Sequence, residues 1–429
     1  MNIFKSKLFW FAPVVLLLLM VIFSVAFYPA FNPKPKDLKI AIVNHDKGTK
    51  IQDKKVDIGK NLEDKLKDSD SDKVKWVSVD SEKDARKGLE NQKYYGVAVL
   101  EKNFSKHAMS KTQKVAMDSK KQEMQDKVKS GEIPPAQAKQ MQQKMSKSGG
   151  AQNINVKKAH IKTFVNGGGN LQTTQMASQI LEKIGTNVNN QITKQGLSTL
   201  DKQHVKVDAK DIHALTNPVK VDSHKTNKVK DHQANGNAPF LMFMPVWMGS
   251  IITSVLLFYA FRTANNVGVT QRLIAAGAQI VAAIVTAFIG GFGYVYFMSG
   301  VLGFDFNDIN KMAVFVSLAI LGFISLILGT MSWIGMVSIP IFILLMFFSM
   351  QMVMLPKQML PKFYQDYIVD WNPFVHYANN LREILYMGHS IEMNSTMWMF
   401  IGFMIFGIIS VLLASVVKKH KGKRSEIPS

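Results

Sequence analysis

From Met312 to Leu355 the chain runs for 44 residues without one Asp, Glu, Lys or Arg. Such a stretch suits lipid rather than water, because a bilayer core about 30 Å thick asks for roughly 20 apolar residues per helical crossing. The stretch is too long for one crossing. A break is expected at GTMSWIG, Gly329 to Gly335, where glycines permit a turn and Trp333 suits the headgroup level. Further apolar runs cover Leu8–Tyr28, Phe240–Phe261, Leu273–Met298 and Met397–Val417. The expectation is an α-helical polytopic membrane protein with six spans.

Charge divides the chain in two. Residues 30–238 hold 39 Lys/Arg against 24 Asp/Glu, whereas the remaining residues hold only 13 and 7. The hydrophilic part is built for water and sits between the first two spans. Lys5 and Lys7 precede the first span, Arg262 and Arg272 bracket the loop after the second, and KKHKGKR (Lys418 to Arg424) follows the last. The Lys/Arg bias of short loops places all three on the cytoplasmic side. This gives a cytoplasmic segment 1–7, a first helix 8–28, an extracellular domain 30–238, a five-helix remainder 240–417 and a basic tail 418–429. SVAF (Ser24 to Phe27) resembles a peptidase site, but the apolar run exceeds the 7–15 residues of a signal peptide, and a retained anchor is expected.

In the outer domain, LKIAIVNHDKG (Leu38 to Gly48) and VKWVSVD (Val74 to Asp80) alternate like strands. SEKDARKGLENQ (Ser81 to Gln92) opens on a capping residue and suits a short helix, and YYGVAVL (Tyr94 to Leu100) is a third strand. Together they predict a small α/β subdomain. Between Ser105 and Leu200 the Lys, Gln and Asn texture predicts two polar-surfaced helices arranged as a hairpin, and residues 204–231 an extended return.

Sites for chemistry are sparse. NGGGN (Asn166 to Asn170) lacks the Gly-Lys-Ser/Thr of a P-loop and predicts a turn. The ten histidines fall into no metal-ligand spacing, and cysteine is absent. Lysines outside are interleaved with acids rather than concentrated, so nucleic acid is not an expected partner. No catalytic, cofactor or metal residue is expected. The spans carry no ionisable group near their centres, which argues against ion-coupled transport.

One polar stretch stands between apolar ones. In VDWNPFVHYANNLREILYMG (Val369 to Gly388), Asn372-Pro373 predicts a turn into a helix. Phe374, Tyr377, Ala378, Leu381, Ile384 and Leu385 take one face, and His376, Asn379, Asn380 and Glu383 the other. Such a helix either lies in the interface or dips into it under protein cover.

The stretch Leu360 to Gly388 resembles the extracellular re-entrant hairpin of type 2 ABC exporter permeases, through Leu360-Pro361, Asn372-Pro373, Arg382 and Gly388. IAIVNHDKG, Asp84 to Ser105 and Asn217 to Gly249 are similar to the YhgE/Pip (phage infection protein) branch, although Glu101 replaces that branch's usual proline. The resemblance implies a multi-pass permease in the plasma membrane of a Gram-positive bacterium, with a re-entrant element at 360–390. It implies pairing with a second permease and a cytosolic ATP-binding subunit, which alone would bring ATP. Arg262, Asn265, Asn266, Gln271 and Arg272 would form the loop coupled to the ATPase. Asn372, Pro373, Phe374, Tyr377, Leu381, Arg382, Glu383 and Leu385 would form the outer gate. The expected function is export of hydrophobic or amphipathic compounds. The alternative is a non-transporting surface receptor or secretion scaffold.

Overall fold

The computed structural model describes residues 20–21, 37–51, 54–69, 73–134, 136–137, 140, 154–230, 232–263 and 268–418. The first expected span, apart from Met20 and Val21, and the tail beyond Lys418 lie outside the described residues. The chain forms two compact units, one over 36–166 and 172–226, the other over 1–35, 167–171 and 227–429.

The first unit is an α/β sandwich. Its strands are β1 (Leu38–Asn44), β4 (Val74–Ser78), β5 (Gly96–Leu100), β6 (Ala159–Asn166) and β7 (Val219–Thr226), in the order β4-β1-β5-β6-β7. A separate hairpin pairs β2 (Thr49–Ile51) with β3 (Lys54–Val56). All neighbours in the large sheet are parallel except β5 and β6. Its helices are α1 (Ile58–Lys67), α2 (Glu82–Glu90), α3 (Phe104–Lys129), α4 (Leu171–Lys202) and α5 (Ala209–Thr216). Alternation decides the faces, because successive strand residues point to opposite sides. Ala41, Val43, Val97 and Val99 bury against Ala85 and Leu89 of α2. Leu38, Ile40 and Ala98 bury against Ala177 and Leu181 of α4, and α3 adds Phe104, Ala108 and Met109 on Leu100 and Ile161.

The strands expected at Leu38, Val74 and Tyr94 and the helix after Ser81 are all present, with Ser81 Oγ accepting from Asp84 N at 3.1 Å. Two expectations need correction. The region 105–200 is not a simple helical hairpin, because AHIKTFVN (Ala159–Asn166) intervenes as β6 and pairs with β5 and β7. Residues 204–231 are not merely extended, since they contain α5 and the sheet strand β7. Both strands are held by partners far away in sequence, which local composition does not report.

The second unit is helical. It comprises α6 (Ala238–Ala260), α7 (Val269–Gly300), α8 (Ile309–Ile334), α9 (Ser338–Met354), the short α10 (Lys362–Tyr367), α11 (Pro373–Tyr386) and α12 (Ser395–Val417). Four stretches of the described residues are long and apolar enough to cross a membrane: α6, α7, α12 and the 46-residue run Ile309–Met354. That run is broken where expected: α8 ends at Ile334, and Gly335 takes φ 68°, a left-handed conformation that glycine adopts without penalty. Helix α8 is the centre of the bundle. A Cβ on Gly291 of α7 would meet Ser317 backbone atoms at 2.7 Å, and one on Gly407 of α12 the Ser325 carbonyl oxygen at 2.5 Å. Small residues thus let both neighbours approach α8 backbone to backbone.

Candidate functional site

Helix α11 is started by Asn372, whose Oδ1 accepts from Phe374 N at 3.0 Å and Val375 N at 3.2 Å. The same side chain donates through Nδ2 to Ser349 Oγ of α9 at 2.8 Å. Pro373 occupies the first turn, where its missing N–H costs nothing. Phe374, Tyr377, Leu381 and Leu385 are all buried. Phe374 meets the Trp247 ring of α6 at 4.5 Å between centroids, and Tyr377 stacks on Phe315 of α8 at 5.8 Å. Residues of α6, α8 and α12 complete this aromatic core, with Phe243, Phe323 and Phe400 fully enclosed.

The second face of α11 is mostly enclosed. His376 and Glu383 are half-buried and Asn379 is exposed, but Asn380 and Arg382 are each only 5% exposed. Protein covers the helix on nearly all sides, so it is inserted into the bundle rather than laid on it. Arg382 Nη1 donates to Asn379 Oδ1 at 3.0 Å. Its Nε, with Asn380 Oδ1, Tyr377 Oη and Trp247 Nε1, is buried without a partner among the described residues. Unpaired buried polar groups each cost roughly 1–3 kcal/mol, and four of them gather on and beside this one helix. Tyr386, which periodicity did not single out, ties α11 to the start of α6. Its Oη accepts from Ala238 N at 3.2 Å and donates to the Gln233 carbonyl at 2.9 Å. A tyrosine at the end of an apolar stripe is indistinguishable in sequence from another core residue.

At the far end of α6 the expected coupling residues separate. Asn265 and Asn266 lie outside the described residues. Helix α7 already begins at Val269, capped by Gly268, so Gln271 and Arg272 belong to its first turn and not to a loop. Gln271 is exposed. Arg262 and Arg272 come together in a cleft with Lys418, a residue that sequence reading placed only in the basic tail. Arg272 Nη1 donates to the Lys418 carbonyl at 2.9 Å, and Lys418 Nζ in turn donates to the Trp333 carbonyl.

The α/β unit has a position where open sheets of this kind bind ligands, outside the carboxyl ends of the parallel strands. Here Asp46, just beyond β1, fills it. Its carboxylate accepts from Ser105 N at 3.1 Å, Gly59 N at 3.2 Å and the Ser105 hydroxyl. Ser105 Oγ takes Ile58 N at 2.7 Å. The first N–H groups of α1 and α3, the usual anion hooks, are thereby satisfied from within.

A family model described as ABC-2 family transporter protein matches residues 7–415. The chain therefore belongs to the ABC-2 transporter family, whose members are membrane subunits that work with an ATP-binding subunit. No curated protein matches. Among solved structures, a domain of a candidate ABC type-2 transporter from Thermotoga maritima MSB8 is similar at 15% identity, covering 44% of this chain and 85% of that one. Its TM-score of 0.25 is too low to bear on the fold.

Proposed function

We propose that this chain is the permease subunit of an ATP-driven exporter of hydrophobic or amphipathic compounds, of the YhgE/Pip type. It has six spans, with α8 and α9 as two of them, cytoplasmic termini and the α/β unit outside the cell. Membership of the ABC-2 family carries the reading. ATP is hydrolysed by a partner that engages the segment Arg262 to Arg272, and a second permease completes the pathway.

In this reading α11 is the outer gate. A helix that buries Arg382 with one side-chain partner and leaves three neighbouring polar atoms unpaired is held at a cost, and a second arrangement in which water reaches those atoms relieves it. That supplies the two-state element an alternating-access cycle needs. Gating by Phe374, Tyr377, Leu381 and Leu385 then means parting an aromatic core and re-forming it.

The test is purification of the tagged protein from its native membrane in mild detergent, with and without residues 262–272 replaced by Gly/Ser. The expected result is an ATP-binding subunit that co-purifies with the native chain and is lost on replacement. Recovery of surface or secretion proteins alone, unchanged by the replacement, overturns the exporter and favours a receptor or scaffold.

A further inference from the structure

The cleft between the ends of α6, α8 and α12 and the start of α7 has apolar walls and a cationic rim. Phe258 and Val411 belong to the walls, Arg262, Arg272 and Lys418 to the rim. Each carboxylate between residues 232 and 418 belongs to the connections 301–308 or 355–394 or to α11, none of them at this end of the bundle. Among the described residues, therefore, no carboxylate of this unit serves the three cations as a counter-ion.

Part of their hydrogen-bonding capacity is used on helix carboxyl ends, where positive charge is favourable. Part is not. Arg272 Nε has no acceptor among the described residues, and the exposed Arg262 guanidinium makes no hydrogen bond to any of them. On the same helical turns as Arg272 and Lys418, Ile274 is 66% and Val417 65% exposed, apolar surface suited to acyl chains.

We propose that this cleft binds the phosphodiester headgroup of an anionic phospholipid. A phosphate oxygen takes the spare donors of Arg262 and Arg272, a pairing that guanidinium geometry favours. The glycerol and first methylenes rest on the apolar wall. Basic pockets between membrane helices recognise such headgroups by charge, and a zwitterionic lipid forfeits most of that attraction. This site goes beyond the exporter reading and does not rest on it; it requires only that α6, α7 and α12 lie in a membrane.

The experiment is native mass spectrometry of the full chain, delipidated in detergent, with phosphatidylglycerol or phosphatidylcholine of identical acyl chains. Phosphatidylglycerol is expected to be retained about fivefold more strongly. Arg262→Gln, at an exposed side chain, should lower retention without moving the thermal midpoint. Arg272→Gln should abolish the preference, and Arg272→Lys should restore part of it. Lys357→Gln, on the connection after α9, should change nothing. Equal retention of the two lipids overturns the proposal, as does a preference that survives both Gln substitutions at the arginines. Thermal protection by inorganic phosphate alone, equal to that given by the lipid, assigns the site to a free anion and also overturns it.

Discussion

Substituting Gly291 by alanine tests how closely α7 and α8 pack. The added Cβ would lie 2.7 Å from both N and Cα of Ser317 and closer still to its Oγ, which is itself held by donation to the Ala313 carbonyl at 2.7 Å. Backbone cannot rotate away, so the helices must part by about 1 Å to reach ordinary contact. Overpacking of this kind costs roughly 1–3 kcal/mol. At roughly 2–4 °C per kcal/mol for a unit of this size, the thermal midpoint should fall by about 2–12 °C. The two neighbouring glycines are internal controls. A Cβ on Gly290 meets only Ile320 Cδ1 at 3.9 Å, and one on Gly293 meets nothing within 4 Å. Alanine at either should be neutral or stabilising by up to about 1 kcal/mol through helix propensity. With no cysteine in the chain, thiol dyes are useless. Intrinsic fluorescence serves instead, since Trp247 sits fully buried among Phe323, Phe342 and Phe374. Equal midpoints for Gly291→Ala and Gly293→Ala would refute the close approach of α7 to α8.

Three further outcomes are expected. Arg382→Met removes a buried charge with one partner and should raise stability by roughly 1–3 kcal/mol, while lowering ligand-stimulated ATPase activity of the assembled transporter; a loss of stability would mean that Arg382 is a structural anchor. Asn372→Ala deletes the cap of α11 and its bond to Ser349, and should cost about 1–2 kcal/mol by the same fluorescence melt. Asp222 of β7 is held below the usual carboxylate range by hydrogen bonds from His160 and then Lys220. Its stabilising contribution is therefore complete above the ordinary Asp value near pH 4, and fades as pH falls through the lower folded value. A melt series from pH 6 to 3 should show Asp222→Asn flattening that loss; an unchanged slope would remove Asp222 from the account.

Legibility tracked the range of the interactions. The break at Gly335 and the cap at Asn372 are local and could be read directly, as could the alternation of β1, β4 and β5. Strands β6 and β7 could not, because Ile161 faces Val221 only after sixty residues of intervening chain and the lysine-rich flanks mask the alternation. The burial of the polar side of α11 was not legible for a different reason. Periodicity says which residues are polar, not whether water reaches them, and Asn380 and Arg382 are polar yet enclosed. The meeting of Arg272 with Lys418, 146 residues on, has no local signature at all.

The single antiparallel step between β5 and β6 reverses the run of the sheet. It puts the first residue of β1, Leu38, and the last residues of β6 and β7, Asn166 and Thr226, on one side. The chain thus starts and finishes its α/β excursion at the same end of the sheet. Segments can be added or trimmed on the opposite side while start and finish keep their spacing, so a lineage is free to remodel what this unit presents without rebuilding the helices that carry it. The step works as a graft union.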